Sequence, residues 1–263
     1  MVEVDDSFIF FPKKFPEIEI GKFEIQKRMR KNDDSIMHDR KRMKRSEDSL
    51  DDSRVVLIAI GSSSGNFPAS MEEALKASTF SKQITLVFPK EKIYGMNGAT
   101  TKVVMQLTEL LLRTAKKYPK RKIFFVTSSF GGRAAAHVIS QRVENRKGKT
   151  NEEKHPHLKT LSKIPKNFAG IVSFGYPLIH KSDDRTHILK LLECPILFLV
   201  GSKDKLCDIK RLESLINTSM SCDANLHIVE GGKHNPFDIV PKSSNSDKKI
   251  TNLALRKIGE FIN

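Results

Sequence analysis

Six short apolar runs lie between residues 55 and 230: VVLIAI (55–60), ITLVF (84–88), IFFVT (123–127), GIVSFG (170–175), PILFLVG (195–201) and LHIVE (226–230). Each is rich in β-branched or aromatic residues and bounded by Gly, Pro or another turn former. Continuous apolar runs of this length predict strands buried on both faces, the pattern of a parallel sheet. Between some of them the period changes. Val103, Val104, Leu107, Leu110 and Leu111 recur at i, i+1, i+4, i+7, i+8 and predict a helix over 100–116. Ile250, Leu253, Ile258, Phe261 and Ile262 form a second stripe at the C-terminal end. Strands alternating with helices predict a three-layer α/β sandwich with a mostly parallel sheet. No internal repeat is visible.

Residues 1–53 do not share this pattern. They contain two short β-like runs, Phe8 to Phe11 and Phe23 to Gln26, and then a charged stretch without apolar periodicity. The chain therefore divides into 1–53, expected to include a disordered or loop segment at 27–53, and a domain over 54–263. Within the first part, KRMRK (27–31) and RKRMKR (40–45) have the layout of a bipartite nuclear localisation signal. The acidic, serine-rich SEDSLDDS comes next, and phosphate added there would oppose the basic clusters. Residues 141–167 read as a basic insertion before the strand at 170–175.

The net charge of +15 changes the picture less than it first suggests. Residues 1–53 carry 12 basic and 13 acidic side chains; the excess lies in 54–263, with 34 against 18. It is spread over patches such as RTAKKYPKRK (113–122), and no nucleic-acid-binding motif accompanies it. Binding to nucleic acid is expected to be non-specific only. The three cysteines, Cys194, Cys207 and Cys222, are odd in number and lack metal-ligand spacing, so reduced thiols of a cell interior are expected. No apolar run is long enough to span a membrane, no signal peptide is apparent, and Val2 stands where N-myristoylation needs glycine. The expected location is cytoplasmic or nuclear. No cofactor is expected. His155-Pro156-His157 has no third metal ligand near it in sequence, and no Gly-rich phosphate loop occurs.

Candidate chemistry lies in the loops after the strands, because active residues of an open parallel sheet gather beyond its carboxyl ends. After IFFVT comes Ser128-Ser129-Phe130-Gly131-Gly132-Arg133, a strand leading through a tight turn into a helix. With Ser129 central, this has the layout of a nucleophile elbow, whose strained turn needs small residues two before and two after. Gly131 meets that need; Thr127 departs from it. Ser128 suits the central position less well, because Phe130 would then occupy a small position. After PILFLVG comes Asp204, and after LHIVE comes His234. The order Ser, Asp, His is that of the α/β hydrolases. In such an arrangement His234 takes the proton from Ser129, and Asp204 holds the imidazole tautomer. The amide of Phe130, with Ser62 and Ser63 of the loop Gly61-Ser62-Ser63-Ser64-Gly65-Asn66, would supply the oxyanion hole. Each element also has a plain structural reading: a turn serine, a helix N-cap at Asp204, a surface histidine after Gly-Gly.

SFGGRAAAHV, GIVSFGYPLIH, CPILFLVGSKDKLCDIKRLESLI and IVEGGKHN together resemble the testis-expressed protein thirty group. That group is related to subunit three of the non-specific-lethal (NSL) histone acetyltransferase complex and, more distantly, to dienelactone hydrolase-like proteins. The resemblance covers about residues 54–263. Its most specific pieces are Tyr176-Pro177-Leu178 and Gly201-Ser202-x-Asp204-x-x-Cys207. It implies an α/β-hydrolase fold without a large lid, with Ser129, Asp204 and His234 at the three catalytic positions. At the elbow the family has G-x-S-x-G where this chain has Thr127-Ser128-Ser129-Phe130-Gly131. The resemblance implies no particular substrate, and the chromatin branch of the group acts as a scaffold. Two expectations therefore stand side by side. One is a serine hydrolase acting on a small ester, thioester or related acyl substrate. The other is an inert binding or scaffold protein with an acidic protein or chromatin partner.

Overall fold

The first apolar run, β1 (Val55–Ile60), is buried at all six positions and lies one strand in from the edge of a parallel sheet. In the computed structural model, which describes residues 54–89, 93, 99–142, 164–180, 183–237 and 245–263, each of the six runs becomes a strand of that sheet. The elements in chain order are β1, α1 (Ala69–Ala77), β2 (Ile84–Val87), α2 (Thr101–Lys117), β3 (Ile123–Ser128), α3 (Phe130–Ser140), β4 (Phe168–Phe174), β5 (Ile179–His180), β6 (Asp183–Asp184), α4 (Thr186–Leu189), β7 (Ile196–Gly201), α5 (Ile209–Thr218), β8 (Ala224–Val229) and α6 (Asn245–Ile262). The sheet order is β2-β1-β3-β4-β7-β8, and every neighbouring pair is parallel. β5 and β6 form a separate antiparallel ribbon.

The pleat sends alternate side chains to the two faces. Val56, Ile58 and Ile60 of β1 point to one layer with Ile123 and Phe125 of β3 and Phe198 of β7; Val104, Leu107 and Leu111 of α2, Ala134 of α3 and Leu212 of α5 cover them. Val55, Leu57 and Ala59 point to the other layer with Phe124, Val126 and Leu199, under Met71 and Leu75 of α1 and Ala254 and Ile258 of α6. The chain is thus a three-layer α/β sandwich. Each fully buried Leu, Ile or Phe contributes about 1.5–3 kcal/mol, so the two layers dominate the cohesion of the domain.

Three details differ from the sequence pattern. The outer strands β2 and β8 are mostly half-buried or exposed, because an edge strand has a neighbour on one side only. Leu253, placed on the apolar stripe of the last helix, is instead 41% exposed, and Ala254 and Leu255 take its place against the sheet. Helices α1 and α5, not named from the sequence pattern, also form, α5 with Ile209, Leu212, Leu215 and Ile216 along one face. The two β-like runs, the basic clusters and the acidic stretch of residues 1–53, His155 and His157, and most of the insertion at 141–167 lie outside the described residues.

Candidate active site

The carboxyl ends of β3, β7 and β8 bring Ser129, Asp204 and His234 together. The turn after β3 is the tightest point. Ser129 has φ 52° and ψ −117°, a region that costs a non-glycine residue about 1–3 kcal/mol and persists only where the surroundings hold it. Two backbone bonds do so: the Ser129 N–H donates to Phe174 O at 2.9 Å, and the Gly132 N–H donates to Ser129 O at 3.0 Å. Helix α3 then starts at Phe130 and leaves immediately against β1. A β-carbon on Gly131 would fall 2.5 Å from Ile60 O and 2.7 Å from Gly61 O, so only glycine lets the helix pass there.

Thr127 departs from the small residue expected two before Ser129, and the structure shows where its bulk goes. It is fully buried, and its hydroxyl donates to Val172 O at 3.3 Å. A β-carbon on Gly132 would lie 3.2 Å from Thr127 Oγ1 and 2.4 Å from Ser173 Oγ. The missing side chain of Gly132 therefore leaves the room that Thr127 and Ser173 fill.

His234 bridges the other two groups. Its Nε2 lies 2.7 Å from Ser129 Oγ, and its Nδ1 lies 3.1 and 3.0 Å from Asp204 Oδ1 and Oδ2. With a proton on Nδ1, the ring donates to the carboxylate and accepts from the serine hydroxyl. The Asp204 side chain is fully buried while that of His234 is 31% exposed, so the relay runs from the interior to a face open to solvent. A buried carboxylate needs donors. Asp204 receives a second one from the Leu206 N–H, at 2.8 Å to Oδ1. The capping role that Asp204 also suited belongs to Asp208, whose Oδ1 accepts from the Arg211 N–H at the start of α5.

The two loops that carry Asp204 and His234 are tied to each other. The Ser202 N–H donates to Val229 O and the Lys203 N–H to Gly232 O. The Ser202 hydroxyl donates to Glu230 Oε1 at 3.0 Å and accepts from the Gly231 N–H at 2.9 Å. Asn235 fastens the histidine loop to α1, its Nδ2 donating to Ser70 Oγ at 3.0 Å. Sequence reasoning misses these roles of Asn235 and Ser202. The Asn-Pro step at 235–236 marks a turn, but only the fold shows that it holds the residue beside His234. Cys207 also lies near Asp204. Burial, then the charges of Asp204 and Asp208, push its thiol up to about 12, so it stays protonated and is a poor nucleophile.

The oxyanion donors named from sequence are placed unequally. Phe130 is the first residue of α3, where an N–H has no acceptor within its own helix. The loop after β1 lies against the same turn, as the Gly131 contacts show. Within that loop, however, the Ser62 N–H donates to Asn66 O at 3.0 Å, so that amide is already occupied. Ser63 is exposed beside it. Among the described residues no group of three or more His, Cys, Asp or Glu could hold a metal ion. None of the described helices is long and apolar enough to cross a membrane.

Solved structures share this architecture. A dienelactone hydrolase from Anabaena variabilis is 13% identical with a TM-score of 0.52, covering 80% of this chain and 88% of that one. An esterase from the Planctomycetes species Thermogutta terrifontis, bound to propionate, is 14% identical with a TM-score of 0.52, covering 80% and 85%. A predicted CIB-like hydrolase from Thermoplasma acidophilum is 14% identical with a TM-score of 0.50, covering 79% and 87%. At such identities the likeness concerns the fold. A comparison with curated proteins finds no match. Residues 52–263 match the alpha/beta hydrolase domain, and since that is most of its length, the chain belongs to this family.

Proposed function

We propose that this chain is a serine hydrolase acting on a carboxylic ester, thioester or related acyl substrate. Ser129 is the nucleophile, His234 the general base and Asp204 the group that orients the imidazole. The observation that carries the reading is the position of His234, 2.7 Å from Ser129 Oγ on one side and 3.0 Å from Asp204 on the other. A serine hydroxyl is a weak nucleophile until a base at this distance takes its proton. In the proposed reaction Ser129 Oγ attacks the acyl carbonyl as its proton passes to His234 Nε2. The resulting oxyanion faces the Phe130 N–H and the positive end of α3. His234 then protonates the leaving alcohol or thiol. Water, deprotonated by the same nitrogen, releases the acid. The esterase and dienelactone hydrolase neighbours support this reaction class.

The test is labelling by a fluorophosphonate probe, which requires an activated serine, on wild type and Ser129→Ala together. Labelling of wild type and none of the variant is the expected result. A wild type that the probe does not label overturns the proposal.

One observation favours a second reading. The Ser62 N–H is spent on Asn66 O, which leaves the oxyanion position short of one of the donors named for it. An inert binding or scaffold protein, in keeping with the resemblance to the testis-expressed protein thirty group and its chromatin branch, would tolerate that loss. Equal turnover by wild type and Ser129→Ala would support it.

A further inference from the structure

The end of the sheet opposite Ser129, where the strands begin, is positive over half its width. Strand pairing places the starts of four strands side by side, with Ile84 beside Val55, Val56 beside Ile123 and Ile123 beside Phe168. The residues just before them are therefore neighbours along one rim. Arg54, Lys82, Lys120, Lys122 and Lys166 are all exposed there, Lys122 Nζ already donating to Asn263 O at 2.8 Å. Neighbouring strands are about 4.8 Å apart, so these cations are spread over roughly 15 Å. Lys116 and Lys117, at the end of α2, extend the patch, and neither has a carboxylate partner among the described residues. The segments 81–84, 113–122 and 164–168 contain no acid. The exposed acids Glu193 and Asp223 stand at the far half of the same edge, before β7 and β8, so the positive charge is confined to the β2–β4 side.

We propose that this rim is the docking surface for the acidic segment of the same chain that leads into β1, Ser46-Glu47-Asp48-Ser49-Leu50-Asp51-Asp52-Ser53. The point of attachment selects this occupant. The Val56 N–H donates to Lys122 O at 2.9 Å, so the chain enters the sheet beside the cations themselves. From Glu47 to Arg54 the chain reaches at most about 25 Å, which spans the rim but does not reach far beyond it. The segment carries Glu47, Asp48, Asp51 and Asp52 and no basic residue, the complement of rim segments without an acidic side chain.

Single surface ion pairs are weak and easily screened. A tether of a few residues offsets this, because it keeps the partner at an effective concentration on the order of millimolar. Several pairs can then form together where one would not persist. The basic cluster at 40–45 competes for the same acids from the other side. The rim is favoured because its cations are held at the end of the sheet, beside the point where the segment is attached.

The test uses the full chain with Cys222→Ser and a nitroxide on Ser49→Cys, read by amide NMR against the reduced label. Selective loss of the amide signals of residues 116–122 is expected. The signals should return in about 1 M salt, where the Debye length is about 3 Å. They should also return when Lys116→Ser, Lys117→Ser and Lys120→Ser are combined. Unchanged spectra elsewhere in that variant establish that it is folded. No loss, loss spread evenly over the domain, or loss that survives the three substitutions overturns the proposal. Loss seen only when the labelled chain is mixed with a separate isotope-labelled chain assigns the segment to a neighbouring copy, and overturns it equally.

Discussion

The carbonyl oxygen of His234 lies against Gly175 so closely that a β-carbon on the glycine would come within 1.9 Å of it. Gly175 comes directly after β4 with φ +57°, and its N–H donates to Leu199 O at 2.9 Å. The end of β4 is thereby locked to β7, and the histidine loop is laid over it. Gly175→Ala must both strain the backbone, at about 1–3 kcal/mol, and lift His234 away from Ser129. A displacement near 1 Å costs about 10²-fold in rate. The expected outcome is a melting temperature lowered by several degrees and probe labelling slowed by about that factor. Normal labelling in a folded Gly175→Ala chain would show that this contact does not set the position of His234.

Asp204 and Asp208 offer a matched pair of carboxylates four residues apart. Under the proposed mechanism Asp204→Asn keeps an acceptor for the Leu206 N–H but loses the charge that fixes the imidazole tautomer. The rate should fall by about 10⁴-fold with little change in folding. Asp208→Asn keeps the helix cap, since Asn and Asp cap equally well, and should leave the rate unchanged. Steady-state hydrolysis of a chromogenic short-chain ester checks both.

Parts of this molecule are legible in the sequence because they depend on local chemistry. VVLIAI, IFFVT and PILFLVG are buried on both faces, and an unbroken apolar run says so directly. The positions after the strands point to Ser129, Asp204 and His234. The features that stay hidden depend on distant neighbours. Thr127 looks too large for its turn because the space it uses is left by Gly132 and bounded by Ser173, and Ser173 sits on another strand. Asp204 has a plain reading as a helix cap, and only the Arg211 N–H on Asp208 shows that the cap lies four residues further on. The occupied Ser62 amide closes the five-residue loop from Ser62 to Asn66, which no spacing rule anticipates.

Leu253 and Ile258 test how α6 is rotated against the sheet. Both lie on the apolar stripe read from sequence, yet Leu253 is 41% exposed and Ile258 is fully buried in the layer that α6 forms with the sheet. Ile258→Ala should cost about 2–5 kcal/mol. Leu253→Ala should stay within about 0.5 kcal/mol. Urea denaturation of the two variants gives the comparison. Equal losses would mean that α6 presents a different face.

Nuclear import is a separate matter, since the basic clusters lie outside the described residues. A reporter fused to residues 27–45 should concentrate in the nucleus. Changing Lys41, Arg42, Lys44 and Arg45 to Ala should disperse it. An evenly distributed unmodified fusion would return this stretch to the role of a charged linker.

The buried thiols predict an alkaline limit to stability. Burial pushes both Cys194 and Cys207 from 9.0 up to about 12; nearby ionisable groups, Cys222 for the first and Asp204 and Asp208 for the second, add to it. The folded chain therefore keeps two protons that the unfolded chain releases once the pH passes about 9. Above that point unfolding is coupled to proton release, so rising pH favours the unfolded state. The contribution of these groups is full below about pH 9 and is lost progressively as the pH climbs towards about 12. A Cys194→Ala, Cys207→Ala chain should be less stable than wild type near pH 8, because two core side chains are cut back. Its stability should then fall less steeply across the alkaline range, so that the two curves converge. Denaturation midpoints measured at several pH values between about 8 and 11 read this directly. Curves that stay parallel would show that the thiols titrate alike in both states, and so are not held in the interior where the fold places them.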